Sequence, residues 1–467
     1  GGGGCRRDVT GQVDAFLVGT VLYAVLSGLL FCPPLWLFGA RATILGTGVI
    51  EAAFFLARSA ERRRRRLAPA SPPPSEAVPE EVLGHLLELA SDGVFDLGKF
   101  LRGWFFGAPL ERITSADIER LTAYGFMYRR LEELNPQERA FVTDARKRME
   151  AIMRRTFPPH TPGKRPLRFN SHLWKPVKTL YQPLLVIAQT EILALCTAAV
   201  LRAWGFEERR EGCLAYWVKR AETVSWNVKA DEADPVVFFH GVGMGLVLYL
   251  PFLRTMLATA RSEGRPRDIV VMDMRWVSMR LTNHVPTVDE VADDFKRALA
   301  RTTDRSVRLV GHSYGTFCCA RIIHKHPQLV SAACLIDPVC FLLIMPDILS
   351  NFLVNPPRSP WKHGVAAYAR DLIRIVFCSR EESISHAFCR DFYWHQYTLW
   401  FDQLPQRSIV VLSAEDEIVP SAALRKYLTH RKYRRQIRTI WWPSFDHAAF
   451  LGSKAAVQEV VDAVVCT

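Results

Sequence analysis

Gly311, His312, Ser313, Tyr314 and Gly315 spell G-x-S-x-G between an apolar run and a helix-forming segment. A serine hydroxyl is a poor nucleophile near neutral pH, so it needs a base, and the base needs a carboxylate to orient it. In the order serine, acid, histidine the chain supplies Asp416 in AEDEIVP and His447 in FDHAAF, each just beyond a strand-like run. The chemistry that this set of groups supports is acyl transfer through a covalent serine intermediate. Asp337, in LIDP after another strand-like run, is the rival acid, and Asp416 is favoured over it.

A nucleophile of this kind must stand on a sharp turn, and small flanking glycines let that turn form. The helix that follows presents free N–H groups where negative charge would develop. A second glycine-rich turn, His240 to Gly245 (HGVGMG), follows the run PVVFFH. There the backbone can approach a substrate oxygen closely, and the N–H groups of Val242 and Tyr314 are the expected oxyanion donors. A phosphate-binding G-x-G-x-x-G is excluded because the sixth position is not glycine and no acid follows at the required distance.

Other polar residues receive plainer readings. His240 and His312 are expected to pack within their motifs, His324 and His326 to lie on a solvated helix face, and Asp446 to point away from its neighbour His447. His386 to Asp391 matches an H-x-x-x-x-D pattern associated with some lipid acyltransferases. Two fixed positions in six arise often, and this match is read as coincidence.

The elements that must position these groups are legible as periodicity. Runs at 235–240, 269–272, 306–311, 332–337, 408–413 and 436–442 are strand-like, several apolar on both faces as parallel strands covered by helices should be. Thr287 with Glu290 forms a capping box, and Val457, Val460, Val461 and Val464 mark the inner face of a last helix. This alternation is an α/β pattern, and it brings the carboxyl ends of the strands to one edge.

On these motifs (HGVGMG at 240, GHSYG at 311, DEIVP at 416 and DH at 446–447), residues 207–467 resemble the α/β-hydrolase fold superfamily. The resemblance implies a mostly parallel eight-stranded sheet, a triad of Ser313, His447 and Asp416 as nucleophile, base and orienting acid, and no cofactor and no metal. Within the superfamily the chain is similar to membrane-associated hydrolases. An insertion at about 339–407, rich in aromatic residues from Phe341 to Phe401, falls where that fold carries its lid and offers an apolar pocket for an acyl chain.

The remainder of the chain is organised around a membrane. Of 467 residues 49% are hydrophobic and 23% charged, which excludes a disordered chain, a collagen-like repeat and a small disulfide scaffold. Ala15 to Phe31 carries no charge and is near the lower length for crossing a bilayer, whereas Leu35 to Leu56 carries Arg41 and Glu51 and is a poorer span. One or two crossings therefore make up a membrane anchor over 1–66. Arg6, Arg7 and the run Arg62 to Arg66 favour cytosolic flanks. The net charge is +13, and its densest cluster is that run of five arginines beside apolar sequence, which points to an anionic lipid surface rather than nucleic acid. A proline-rich linker at 67–80 and a helical module at 81–206 precede the catalytic region, and Leu180 to Phe206 reads as a buried or interface-lying helix. The 11 cysteines show no C-x-x-C, the usage of a reducing compartment.

Together these observations predict a membrane-anchored serine hydrolase that faces the cytosol, at the endoplasmic reticulum or a lipid droplet, and cleaves an ester of a lipid-like substrate. Acyl transfer to an alcohol or lysolipid by the same serine, and a catalytically silent membrane-bound scaffold, are the alternatives.

Overall fold

The computed structural model describes residues 39, 41–43, 45–70, 79–221, 233–262, 267–430 and 437–465. The first apolar stretch, Ala15 to Phe31, and the flanking Arg6 and Arg7 lie outside the described residues, as does most of the linker, 71–78.

Eight strands form one sheet in the order β1-β2-β4-β3-β5-β6-β7-β8. They are β1 (Glu207–Glu211), β2 (Leu214–Lys219), β3 (Val236–Phe239), β4 (Ile269–Asp273), β5 (Val307–His312), β6 (Val330–Ile336), β7 (Ile409–Ser413) and β8 (Arg438–Trp442). The hairpin β1–β2 joins β4 antiparallel at one edge, and every other pairing is parallel. The central strands are buried on both faces. Val236 and Phe238 enter one hydrophobic cluster, and Val237 and Phe239 enter the other. This is the consequence of period-two side chains in a sheet covered on both sides.

The helices are α1 (Arg41–Leu67), α2 (Pro79–Ser91), α3 (Leu97–Trp104), α4 (Ser115–Thr122), α5 (Pro136–Met153), α6 (Leu184–Ala203), α7 (Leu250–Ser262), α8 (Val288–Ala300) and α9 (Gly315–Lys325). The lid insertion contributes α10 (Pro346–Leu349), α11 (Pro360–His363), α12 (Val365–Ile373), α13 (Glu382–Cys389) and α14 (Trp394–Tyr397), and α15 (Ser421–Leu428) and α16 (Lys454–Val465) complete the chain. α16 buries Val457, Val460, Val461 and Val464 beside α7, on the Val236 face. α8 and α9 cover the other face, and α8 starts on the expected reciprocal bonds between Thr287 and Glu290.

Helices α2 to α5 and the lid share the larger hydrophobic cluster with the sheet: Leu86, Phe100 and Leu101 meet Ile344, Ile348 and Leu349. The Trp104 indole donates to the Ile344 carbonyl at 2.9 Å. Helices α2 to α5 therefore back the insertion between β6 and β7.

Among the described residues two helices, α1 and α6, are long and apolar enough to cross a membrane. α6 is engaged with the sheet side of the molecule: Thr190 donates to the Met279 carbonyl, and Glu191 accepts from Arg275 at 2.7 Å and Arg280 at 3.0 Å. Glu51 of α1 accepts the Leu184 N–H at 3.0 Å and so caps α6, which gives this charge a polar partner. Leu45, Val49, Ile50 and Leu56 remain exposed on α1.

The basic run differs from expectation. α1 continues through Arg62 to Arg66, because Glu61 pairs with Arg64 at 2.8 Å and with Arg65 at 2.7 Å, one turn on. Arg65 is buried, donates to the Thr282 carbonyl at 2.6 Å and lies 3.4 Å from Glu382 of the lid. The run is a fastening as well as a cationic surface. His326 also departs from the reading of a solvated face, being buried with its Nε2 3.5 Å from Asp293.

Candidate active site

β5 ends at His312 and α9 begins at Gly315, so Ser313 occupies a two-residue elbow with φ +50°. The flanking glycines are required by contact. A Cβ on Gly311 would sit 2.8 Å from the Cys319 sulfur, and one on Gly315 would collide with the Phe239 carbonyl and stand 2.9 Å from the His240 carbonyl. The elbow thus packs directly on the end of β3.

The structure brings Ser313, His447 and Asp416 together. The Ser313 Oγ is 2.8 Å from His447 Nε2, and His447 Nδ1 is 2.7 Å from Asp416 Oδ2. A carboxylate only accepts, so Nδ1 carries the proton and Nε2 is left to accept the serine hydroxyl. Asp416 stands in the turn after β7 with its side chain fully buried, and its Oδ1 accepts the N–H groups of Ile418 and Val419, each at 2.8 Å. His447 follows β8, with 16% of its side chain exposed. Burial pushes this imidazole toward the neutral form. The charge and hydrogen bond of Asp416, then the charges of Asp337 and Asp446, outweigh that and raise its pKa to about 9.

Asp337, the rival acid, does not contact His447 Nδ1. It follows β6 at φ +43° and is fully buried. Its Oδ1 accepts the Ser413 hydroxyl at 2.7 Å, and its Oδ2 accepts the Ala448 N–H at 2.8 Å. Burial works against its charge, but His312 and His447 beside it, with the Ser413 bond, keep its pKa below the ordinary carboxylate value. Ligand atoms of Asp337, Asp416 and His447 lie within 4.8 Å of one another, a spacing that could hold a cation. Both imidazole nitrogens are already committed, one to Asp416 and one to Ser313.

The glycine-rich turn after β3 lies against the elbow: a Cβ on Gly241 would stand 3.0 Å from the Ser313 Cβ. Gly243 is held by its N–H on the Val277 carbonyl at 3.0 Å. The N–H groups of Val242 and Tyr314 have no acceptor among the described residues, so both remain available to an oxyanion. His240 is a packing residue here. It is fully buried, its Nδ1 is 2.7 Å from the Gly241 carbonyl, and its Nε2 accepts the Met274 N–H at 3.0 Å. Asp446 faces Arg370 at 3.9 Å, and His386 and Asp391 supply no hydrogen bond to Ser313, His447 or Asp416.

Sequence reasoning missed Tyr249. Its hydroxyl accepts the Gly241 N–H at 2.9 Å and stands 2.7 Å from His312 Nδ1, which ties the glycine-rich turn after β3 to the elbow. It also missed Arg358 and Arg370 of the lid, which face Glu417 at 2.5 and 3.9 Å beside Asp416. Their only signal was a basic residue in a loop (Arg358) or on a helix (Arg370) of the insertion, and such residues are common.

Residues 234–385 match the family model described as the alpha/beta hydrolase fold. Among solved structures the chain is similar to a membrane phospholipase A described as a bacterial virulence factor, with 15% identity over 60% of this chain and 94% of that one and a TM-score of 0.38. It is also similar to the carboxylesterase CesB from Bacillus subtilis, with 11% identity over 59% and 98% and a TM-score of 0.39. A serine hydrolase from Cycloclasticus zankles matches with 14% identity over 55% and 95% and a TM-score of 0.38. No curated protein matches the sequence. These identities and TM-scores are too low to transfer a substrate.

Proposed function

This chain carries the α/β-hydrolase fold, and on that premise we propose that it is a membrane-associated serine hydrolase that cleaves a carboxylic ester of a lipid-like substrate. The observation that carries the proposal is the continuous hydrogen-bonded line from Ser313 Oγ to His447 Nε2 and from His447 Nδ1 to Asp416. In this reading Ser313 attacks the ester carbonyl carbon while His447 takes its proton. The N–H groups of Val242 and Tyr314 stabilise the oxyanion, His447 returns the proton to the leaving alcohol, and water activated by the same imidazole cleaves the acyl-enzyme.

Two features support the substrate class. Tyr314, next to the nucleophile, packs edge-on against Phe388 of the lid, and Phe388 continues into Phe352 and Phe392, so the elbow is backed by apolar aromatic surface. Trp361 and Val365 on the lid, and the outer side chains of α1, are exposed apolar groups suited to a lipid surface. The buried thiols of Cys318, Cys319, Cys334 and Cys340 support a reducing, cytosol-facing setting.

The test is a panel of glycerolipid and aryl esters offered to the full chain and to Ser313→Ala, with and without a lysolipid acceptor, reading both free acid and transacylated lipid. The proposal expects free acid as the main product and a loss of about 10³-fold or more in the variant. Transacylated lipid as the main product contradicts the hydrolytic assignment, and equal turnover by both proteins contradicts the role of Ser313.

A further inference from the structure

Away from the elbow, a cleft of about 530 Å³ opens between the C-terminal end of α1, the loop at 173–176 and the lid. Arg66, Arg129, Arg130, Lys175 and Arg390 line it, with Glu133 as the single acidic residue among the lining groups. Two of the cations are answered: Arg129 pairs with Glu138 at 2.9 Å and Arg130 approaches Glu133 at 3.9 Å. Among the described residues Arg66, Lys175 and Arg390 have no carboxylate within ion-pair distance.

Arg390 is the informative member. It is 3% exposed, and the charge of Asp391 beside it offsets part of the cost of burying the guanidinium. Its Nη groups donate to the carbonyls of Arg66, Leu173, Lys175 and Cys389, which fixes the side chain and stitches the three walls together. Its Nε is buried without a partner. A rigidly held guanidinium behind a cleft whose Arg66 and Lys175 meet no carboxylate favours an oxyanion there.

We propose that this cleft binds a phosphate-bearing ligand, either a phosphomonoester lipid headgroup or a free phosphate, held by Arg66 and Lys175 in the positive field of the buried Arg390. The site is separate from Ser313 and does not depend on ester hydrolysis. Its position at the end of α1, whose Leu45, Val49, Ile50 and Leu56 are exposed, suits a headgroup in the leaflet beside that helix. Because Arg390 belongs to the lid, a bound phosphate would also steady the lid against the helical module.

The test uses the full chain in neutral detergent, titrated with dioctanoyl phosphatidic acid, dioctanoyl phosphatidylcholine and inorganic phosphate. Binding is followed by calorimetry, and circular dichroism melting checks the fold. The variant Arg66→Glu with Lys175→Glu removes cleft charge. The variant Arg63→Glu with Arg64→Glu makes the same charge change outside the cleft. The proposal expects phosphatidic acid to bind at least tenfold more tightly than phosphatidylcholine, with a loss of fivefold or more only in the cleft variant. Saturable binding of inorganic phosphate as well identifies a site that takes phosphate from either source, and binding of phosphatidic acid alone identifies the lipid. Equal losses in the two variants, or no preference for phosphatidic acid with no phosphate binding, overturn the proposal.

Discussion

Asp337 Oδ2 accepts a 2.8 Å hydrogen bond from the N–H of Ala448, the residue that follows His447 and itself holds φ +67°. The second acid at the strand ends therefore grips the turn that carries the imidazole, while Asp416 orients the ring. One carboxylate fixes where the histidine stands, and the other fixes which tautomer it adopts.

Asp337→Asn tests the separation of these roles. The amide oxygen can still accept the Ala448 N–H, but the negative charge that helps to raise the His447 pKa is gone. The acid limb of the kcat/KM profile should move to lower pH, with the high-pH plateau reduced only severalfold. Asp337→Ala leaves the Ala448 N–H without its acceptor, which should cost about 1–3 kcal/mol of stability and most of the activity. An unchanged limb in the Asn variant contradicts the assignment.

The wild-type profile follows from the same imidazole. Only neutral His447 can take the serine proton, and its pKa is pushed up to about 9, so kcat/KM should rise with pH through a single ionisation near that value. Stability runs the other way. A pKa raised above the ordinary 6.5 contributes stability that is full below about 6.5 and is lost as pH rises through about 9. Melting temperatures of wild type and His447→Gln should therefore converge at high pH, and a gap that widens there would contradict the sign.

Gly315→Ala addresses the elbow. The added methyl would collide with the Phe239 carbonyl and lie 2.9 Å from that of His240, and the helix start cannot retreat from β3 without moving Ser313. The expected outcome is a loss of about 1–3 kcal/mol in denaturant unfolding together with loss of ester turnover. A variant with full turnover would show that the elbow has slack.

The insertion between β6 and β7 meets the loops that carry Asp416 and His447 through charge. Arg370 lies 3.9 Å from both Glu417 and Asp446, neighbours of Asp416 and His447, with 45% of its side chain exposed. Pairs this exposed are worth about 0–1 kcal/mol. Arg370→Ala should raise kcat/KM for bulky esters up to about fivefold and leave short soluble esters unchanged, with added salt producing the same trend in wild type.

Much of this arrangement is readable along the chain, for definite reasons. β3, β6 and β7 announce themselves because strands buried on both faces are largely apolar. Ser313, Asp416 and His447 can be found because each stands just past such a run. The hairpin β1–β2 is harder to see, since Glu207 to Glu211 is an edge strand with charged residues and no apolar period. Asp416 is favoured over Asp337 from the sequence, but both follow strands on the same sheet edge, and it is the direction of His447 Nδ1 that separates them. Tyr249 carries no motif, and its part in the site depends on the path of the turn at Gly241. The fate of Arg65 is hidden for a related reason: its partners Thr282 and Glu382 are hundreds of residues away along the chain.

The most direct measurement is fluorophosphonate labelling of the full chain, with the modified peptide located by mass spectrometry. The account predicts one equivalent of label on Ser313, slowed by about three orders of magnitude or more in His447→Ala. Label on another residue, or labelling of Ser313 at the same rate without the imidazole, would contradict it.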